Sequence, residues 1–112
     1  MRNTLEKLTP SAFPQIHRGR LHTLQVNLGY RCNQQCLHCH VAAGPNRPET
    51  MSAEIADLVI ETLRTRCFVS LDLPGGAPEL NAQFRRLVTA ARTLDIDVID
   101  RCNLTVLQEP GQ

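Results

Sequence analysis

The feature that most constrains this chain is a cluster of thiols. Residues 30–40 read Tyr-Arg-Cys-Asn-Gln-Gln-Cys-Leu-His-Cys-His, which sets Cys32, Cys36 and Cys39 in a C-x3-C-x2-C spacing with His38 and His40 flanking the last of them. Three thiolates this close together can hold one metal ion or cluster while leaving its last coordination position open. Whatever the chain folds into must present that loop and decide what fills the open position.

The length of 112 residues suits one small domain with a modest core. Five cysteines is an odd number, and the first ten residues carry charges without an apolar leader. Both facts argue against a disulfide scaffold and for reduced thiols in a cytoplasmic setting. No apolar run approaches the roughly 18 residues of a membrane span. A formal net charge of +1 gives no electrostatic footprint for a nucleic acid or a membrane surface. The four aromatic residues, Phe13, Tyr30, Phe68 and Phe84, are too scattered for a base-stacking platform. The expected partner is a small molecule, with no nucleic acid and no membrane.

In chain order, residues 1–20 form a polar lead-in, extended with one weak helical turn; its basic residues read as a solvated face. Residues 21–28 alternate, with Leu24, Val26 and Leu28 apolar and Thr23, Gln25 and Asn27 polar, which is a strand pattern stopped by Gly29. The cysteine loop then runs to about Thr50, long enough to suggest a functional segment. A helix follows, capped by Thr50 or Ser52, with an expected core stripe of Met51, Ile55, Leu58, Val59, Thr62 and Leu63. Residues 68–73 form a second strand ending in Pro74-Gly75-Gly76-Ala77-Pro78, where backbone can approach a ligand closely. A second helix spans about 81–94 with Phe84, Leu87, Val88, Ala91 and Leu94 inward. A third strand lies within 97–107, centred on Val98 and Ile99.

This β-α-β-α-β order implies an α/β fold with a parallel sheet and ligand sites beyond the carboxyl ends of the strands. The cysteine loop, the Gly-Gly turn and residues 101–103 would gather there. Three assignments of the cysteines are open: unrelated thiols, a zinc site completed by His38 or His40, or an iron–sulfur cluster with one iron left free. Cys67 falls at the far end of the first helix, whereas Cys102 falls on the ligand side as a further ligand or substrate-handling thiol.

A C-x3-C-x2-C loop after a first strand, with His38 before the last cysteine, resembles the signature of the radical S-adenosylmethionine (radical SAM) enzymes. Gly75-Gly76-Ala77-Pro78 is similar to that family's Gly-Gly-Glu-Pro-like segment, with Ala77 replacing the acidic residue. Residues 24–45 (LQVNLGYRCNQQCLHCHVAAGP), 75–80 (GGAPEL) and 100–107 (DRCNLTVL) most resemble the arsenosugar biosynthesis radical SAM proteins. The resemblance implies that Cys32, Cys36 and Cys39 bind a [4Fe-4S] cluster whose free iron chelates S-adenosylmethionine. It also implies a 5′-deoxyadenosyl radical, a ferredoxin or flavodoxin as electron donor, and a trivalent arsenical as substrate. His38, Asp72, Gly75, Gly76, Ala77, Pro78, Arg101 and Asn103 are the positions it offers for binding S-adenosylmethionine. His40 is expected to hydrogen-bond within the loop.

By the same resemblance, residues 21–112 are the N-terminal part of a radical SAM core, a partial TIM-like barrel. A full barrel takes about 250 residues, so the expectation is a fragment whose C-terminal portion is missing or separately encoded. The alternative is a non-catalytic module holding zinc or an iron–sulfur cluster.

Overall fold

The computed structural model describes residues 14–111. Residues 1–13 of the polar lead-in, with the weak helical turn expected there, lie outside the described residues. Residues 14–22 are irregular and exposed. Three strands and two helices then alternate: β1 (Thr23–Gln25), α1 (Ala53–Thr65), β2 (Ser70–Leu73), α2 (Phe84–Thr93) and β3 (Asp97–Asp100). The strands form one parallel sheet in the order β1-β2-β3. The expected α/β order and parallel pairing are therefore present, in strands shorter than the sequence suggested.

The period-two pattern of residues 23–28 is realised in full. Val26 and Leu28 are buried, Leu24 is half-buried, and Thr23, Gln25 and Asn27 are exposed. Although β1 ends at Gln25, its pairing continues, because the Val26 amide donates to the Asp72 carbonyl (2.8 Å) and Leu28 to Pro74 (3.0 Å). Each face of the sheet has its own chemistry, since alternate residues point to opposite sides. On one side Leu24, Val26, Leu28, Leu71, Leu73 and Val98 meet both helices in the main core. Full burial of a leucine such as Leu71, Leu73 or Leu87 stabilises the fold by about 1.5–3 kcal/mol. The other side is polar. Thr23 and Ser70 share a hydrogen bond (2.8 Å), and Gln25 Nε2 donates to Asp72 Oδ2 (2.7 Å).

The helices seat differently from the expected stripes. In α1, Ala56, Ile60 and Leu63 are buried, whereas Ile55 and Leu58 are 48% and 63% exposed. Apolar residues cover more than half the circumference of α1, so hydrophobicity alone does not choose the inward arc. The small side chain of Ala56, fully buried, lets the helix approach the sheet closely. Ser52 is the N-cap, its Oγ accepting from the Ile55 amide (3.4 Å). In α2 the expected inward residues hold except Leu94, which follows the helix and is 38% exposed. Asn81, placed in that helix by the sequence reading, instead ties three elements together. Its Nδ2 donates to the Leu28 carbonyl (2.9 Å) and to Thr50 Oγ1 (2.8 Å), and its Oδ1 accepts from the Gln83 amide (2.7 Å).

The third strand also stops early. Beyond Asp100 the chain turns into a 3-10 helix at Leu104–Gln108, capped by Asn103 Oδ1, which accepts from the Thr105 amide (3.3 Å). The turn carries Val106, fully buried, into a second small core with Cys32, Ala43 and Ala77. A straight strand could not bring Val106 back under the cysteine loop. Among the described residues no helix is long and apolar enough to cross a membrane.

Candidate metal centre

The cysteine loop is closed at its base by the backbone. Gly29 bridges Thr50 in antiparallel fashion and Arg31 bridges Gly44 in parallel fashion. Tyr30 donates to the Glu49 carbonyl (3.0 Å) and Gly44 to the Tyr30 carbonyl (3.0 Å). Gly29 is required at this corner, because its φ is +129° and a Cβ there would stand 2.3 Å from the Glu49 oxygen. Arg47 straps the returning limb: it makes a bidentate pair with Glu49 (2.9 and 2.7 Å), donates to the Ala42 carbonyl (2.7 Å), and lies 5.0 Å over the Tyr30 ring.

Two of the three sulfurs meet backbone or side-chain N–H groups. Cys32 is buried, and its Sγ accepts from the Gln34 amide (3.4 Å) and from Asn103 Nδ2 (3.5 Å). Cys39 lies in a tight turn in which the Ala43 amide donates to its Sγ (3.4 Å). Amides of Ala43, then Val41 and Ala42, hold its thiol below the ordinary value. Such donors favour the thiolate, which is the metal-binding form. Cys36 is exposed at the loop tip, as are His38 and His40. Sulfurs around one zinc stand under about 4 Å apart, given a bond of about 2.3 Å. Cys32, Cys36 and Cys39 do not all lie within 4.8 Å of one another, so the sulfurs would have to draw together to share one ion.

The Gly-Gly turn packs directly on this loop. Gly76 donates to the Gly29 carbonyl (3.0 Å) and Ala77 to the Arg31 carbonyl (2.9 Å), and a Cβ on Gly76 would fall 2.3 Å from the Arg31 oxygen. Ala77 and Pro78 are buried. Gly75 alone of this turn's glycines lines the cavity on the polar side of the sheet. That cavity of about 510 Å³ is bordered by Gln25, Asn27, His40, Gly75 and Arg101. Arg101 is fixed over it by Asp72, with Nε to Oδ1 at 2.9 Å and Nη2 to Oδ2 at 2.7 Å. Asp72 is buried beneath that guanidinium, which, with burial opposing and Gln25 assisting, holds its carboxyl below the usual range. Asn103, expected to face a ligand, has its amide on Cys32 Sγ and on Asn33 Oδ1 (2.9 Å). Cys67 is exposed just past the end of α1, away from the loop.

One group was not legible in the sequence. Glu79, Asp100 and Cys102 bring a ligand atom each to within 4.8 Å of one another, on the side of the sheet away from the cavity. Both Glu79 carboxylate oxygens are buried without a hydrogen-bond partner. Burial, then the Glu79 charge, pushes the Asp100 carboxyl up to about 6. The Glu79 carboxylate alongside, then burial, pushes the Cys102 thiol up to about 11. Cys102 had a sequence signal as a thiol after the third strand; Glu79, three residues beyond Gly76, had none. A carboxyl whose folded value is raised stabilises the fold at low pH, and that contribution is lost as pH rises from about 4 through about 6. The metal-free chain is therefore expected to lose stability across that window, and Asp100→Asn to flatten the loss in urea unfolding followed against pH.

No family model matches this chain. It is 33% identical over 73 residues to the sporulation killing factor maturation protein SkfB of Bacillus subtilis (strain 168). The match covers 65% of this chain and 18% of that protein, so the chain spans well under a quarter of its relative's length.

Proposed function

We propose that this chain carries the cofactor-binding part of a radical SAM enzyme, with Cys32, Cys36 and Cys39 as ligands of a [4Fe-4S] cluster. The observation that carries the reading is a three-thiol loop leaving the carboxyl end of β1, beside a polar cavity, with N–H groups directed at two of its sulfurs. The distant similarity to SkfB supports it. The donor set fits the group: three soft ligands on one loop, with backbone amides that favour the thiolate at Cys39. When bound and reduced, such a cluster supplies an electron that cleaves S-adenosylmethionine to a 5′-deoxyadenosyl radical.

The chain's own residues then have separate tasks. Asn103 and the Gln34 amide orient the Cys32 sulfur and offset its charge. Arg101, held by Asp72, presents a fixed cation at the cavity for a carboxylate, and Gln25 and Asn27 line it with amides suited to ribose hydroxyls. His40 borders the same opening from the loop, whereas His38 is exposed on the loop and does not line it.

Anaerobic reconstitution with iron and sulfide tests this reading. Broad visible absorbance and release of 5′-deoxyadenosine from S-adenosylmethionine, with dithionite replacing a ferredoxin or flavodoxin, are expected. Zinc held by the Cys32, Cys36 and Cys39 thiols with no cluster would refute it in favour of a binding module. The finer assignment, a trivalent arsenical as acceptor, follows from the sequence resemblance, whereas the relative's name points to a maturation reaction. Adenosyl transfer to arsenite, compared with transfer to or modification of a peptide, separates the two.

Asn103 provides a second check. Asn103→Asp keeps the oxygen that caps Leu104–Gln108 but replaces the N–H donor at Cys32 with a negative oxygen. Cluster retention is expected to fall by roughly 10–100-fold, as for lost outer-shell partners of metal ligands, and the cluster's potential to become more negative. Iron content and a redox titration read both.

A further inference from the structure

The Glu79 carboxylate presents a physical problem that the cluster reading does not solve. It belongs to the 3-10 turn Pro78–Leu80, and both of its oxygens are buried with no hydrogen-bond partner. No ion pair among the described residues reaches it or Asp100. An unpaired buried carboxylate costs several kcal/mol. What stands around it makes matters worse, because its nearest titratable neighbours are a second carboxylate and a thiol. One shared proton would still leave the group with a negative charge. A cation would neutralise it.

We propose that Glu79, Asp100 and Cys102 form a binding site for one zinc ion, separate from the cluster loop. One soft sulfur beside two hard carboxylate oxygens is a mixed set that zinc accepts, whereas magnesium and calcium take oxygen alone. The three ligand atoms lie within 4.8 Å of one another, so contraction by about 1 Å brings them to bonding distance of one ion. Asp100 is exposed, which gives the ion an entry path and leaves a fourth position for water. The register places Asp100 opposite Leu73, on the helix side of the sheet, while Asp72 and Arg101 serve the other side.

The position suggests what the ion does. Glu79 follows the turn whose Gly76 and Ala77 amides grip the cysteine loop, and Cys102 immediately precedes Asn103, which grips Cys32. Joining Glu79 to Cys102 ties together the two segments that hold the loop from either side. The ion acts as a cross-link between these segments, and its absence leaves the buried carboxylate as a local weak point.

Cobalt(II) and zinc(II) titrations of the full chain test the proposal without reference to S-adenosylmethionine chemistry. In a Cys32→Ser/Cys36→Ser/Cys39→Ser chain, one equivalent of cobalt is expected to bind with a sulfur-to-cobalt charge-transfer band. Adding Cys102→Ser removes the band, and adding Glu79→Gln weakens binding at least tenfold. Glu79→Gln also raises the thermal midpoint of the metal-free chain and abolishes the further rise that zinc gives its parent. An unchanged band after Cys102→Ser overturns the proposal, as does a folded triple variant that binds no cobalt. Should circular dichroism show the triple variant unfolded, zinc content decides between the unmodified chain and its Cys102→Ser variant. Loss of one equivalent supports the site, and equal content overturns it.

Discussion

If Cys36 is a cluster ligand as proposed, a Cys36→Ser chain treated with iron and sulfide is expected not to develop the visible absorbance of its parent while unfolding at the same urea concentration. Cys36 is exposed at the loop tip, so its sulfur makes no packing contribution that a hydroxyl would forfeit. Any change must then come through ligation, where oxygen is a poor substitute for a thiolate. Cys32→Ser behaves differently. Cys32 is 6% exposed and sits among Ala43, Ala77 and Val106, so a hydroxyl there is expected to lower stability by roughly 1–3 kcal/mol as well as preventing cluster assembly. Iron and sulfide content beside urea midpoints separates the two effects. A Cys36→Ser chain that keeps a full cluster would end the assignment of that residue as a ligand.

Gly76→Ala is expected to be among the most damaging single methyl groups in the fold. The added carbon would lie 2.3 Å from the Arg31 oxygen and 2.7 Å from its carbonyl carbon, and backbone cannot swing aside as a flexible side chain can. Relief requires the turn and the cysteine loop to separate, which breaks the Gly76–Gly29 and Ala77–Arg31 hydrogen bonds. Overpacking of about 1–3 kcal/mol with two bonds at about 1 kcal/mol each is a large share of a total stability near 5–15 kcal/mol. Gly75→Ala meets the Gly29 oxygen at 3.0 Å and is expected to cost much less. Urea unfolding of the pair is the measurement; a Gly76→Ala chain as stable as the parent would show that the two loops are not in contact.

These two sites mark how far the sequence was legible. The alternation of Leu24, Val26 and Leu28 announced a strand because one side chain in two meets the core, and the structure agrees residue by residue. The cysteine spacing and the glycines after β2 were equally visible, yet the reason for Gly76 was not. The sequence suggested room for a ligand, whereas its open side is occupied by the Arg31 backbone. Helix α1 was recognised but rotated, since Ile55 and Leu58 are as apolar as Ile60, and only the fit of Ala56 against the sheet selects the buried arc. The turn at Leu104–Gln108 reads as β-rich from Val106 and Leu107, and it forms because Asn103 caps it and Val106 has a pocket to fill. Glu79 was passed over for a general reason: a charged residue after a proline looks like surface, and its burial depends on what β3 brings alongside.

The strap that Arg47 draws across Glu49, Ala42 and the Tyr30 ring bears on how the loop would take up a cofactor. Residues 41–50 are already committed to one backbone path, Cys39 is set by its own turn, and Asn33 is held by Asn103 and Thr105. Gln34 is hydrogen-bonded to Cys32 and Thr105. Loss of chain freedom on capture is then confined to residues 35–38, a handful at about 1–2 kcal/mol each, instead of the whole excursion from Gly29 to Thr50. The fold has ordered most of the loop in advance, leaving the segment around Cys36 as the last to close.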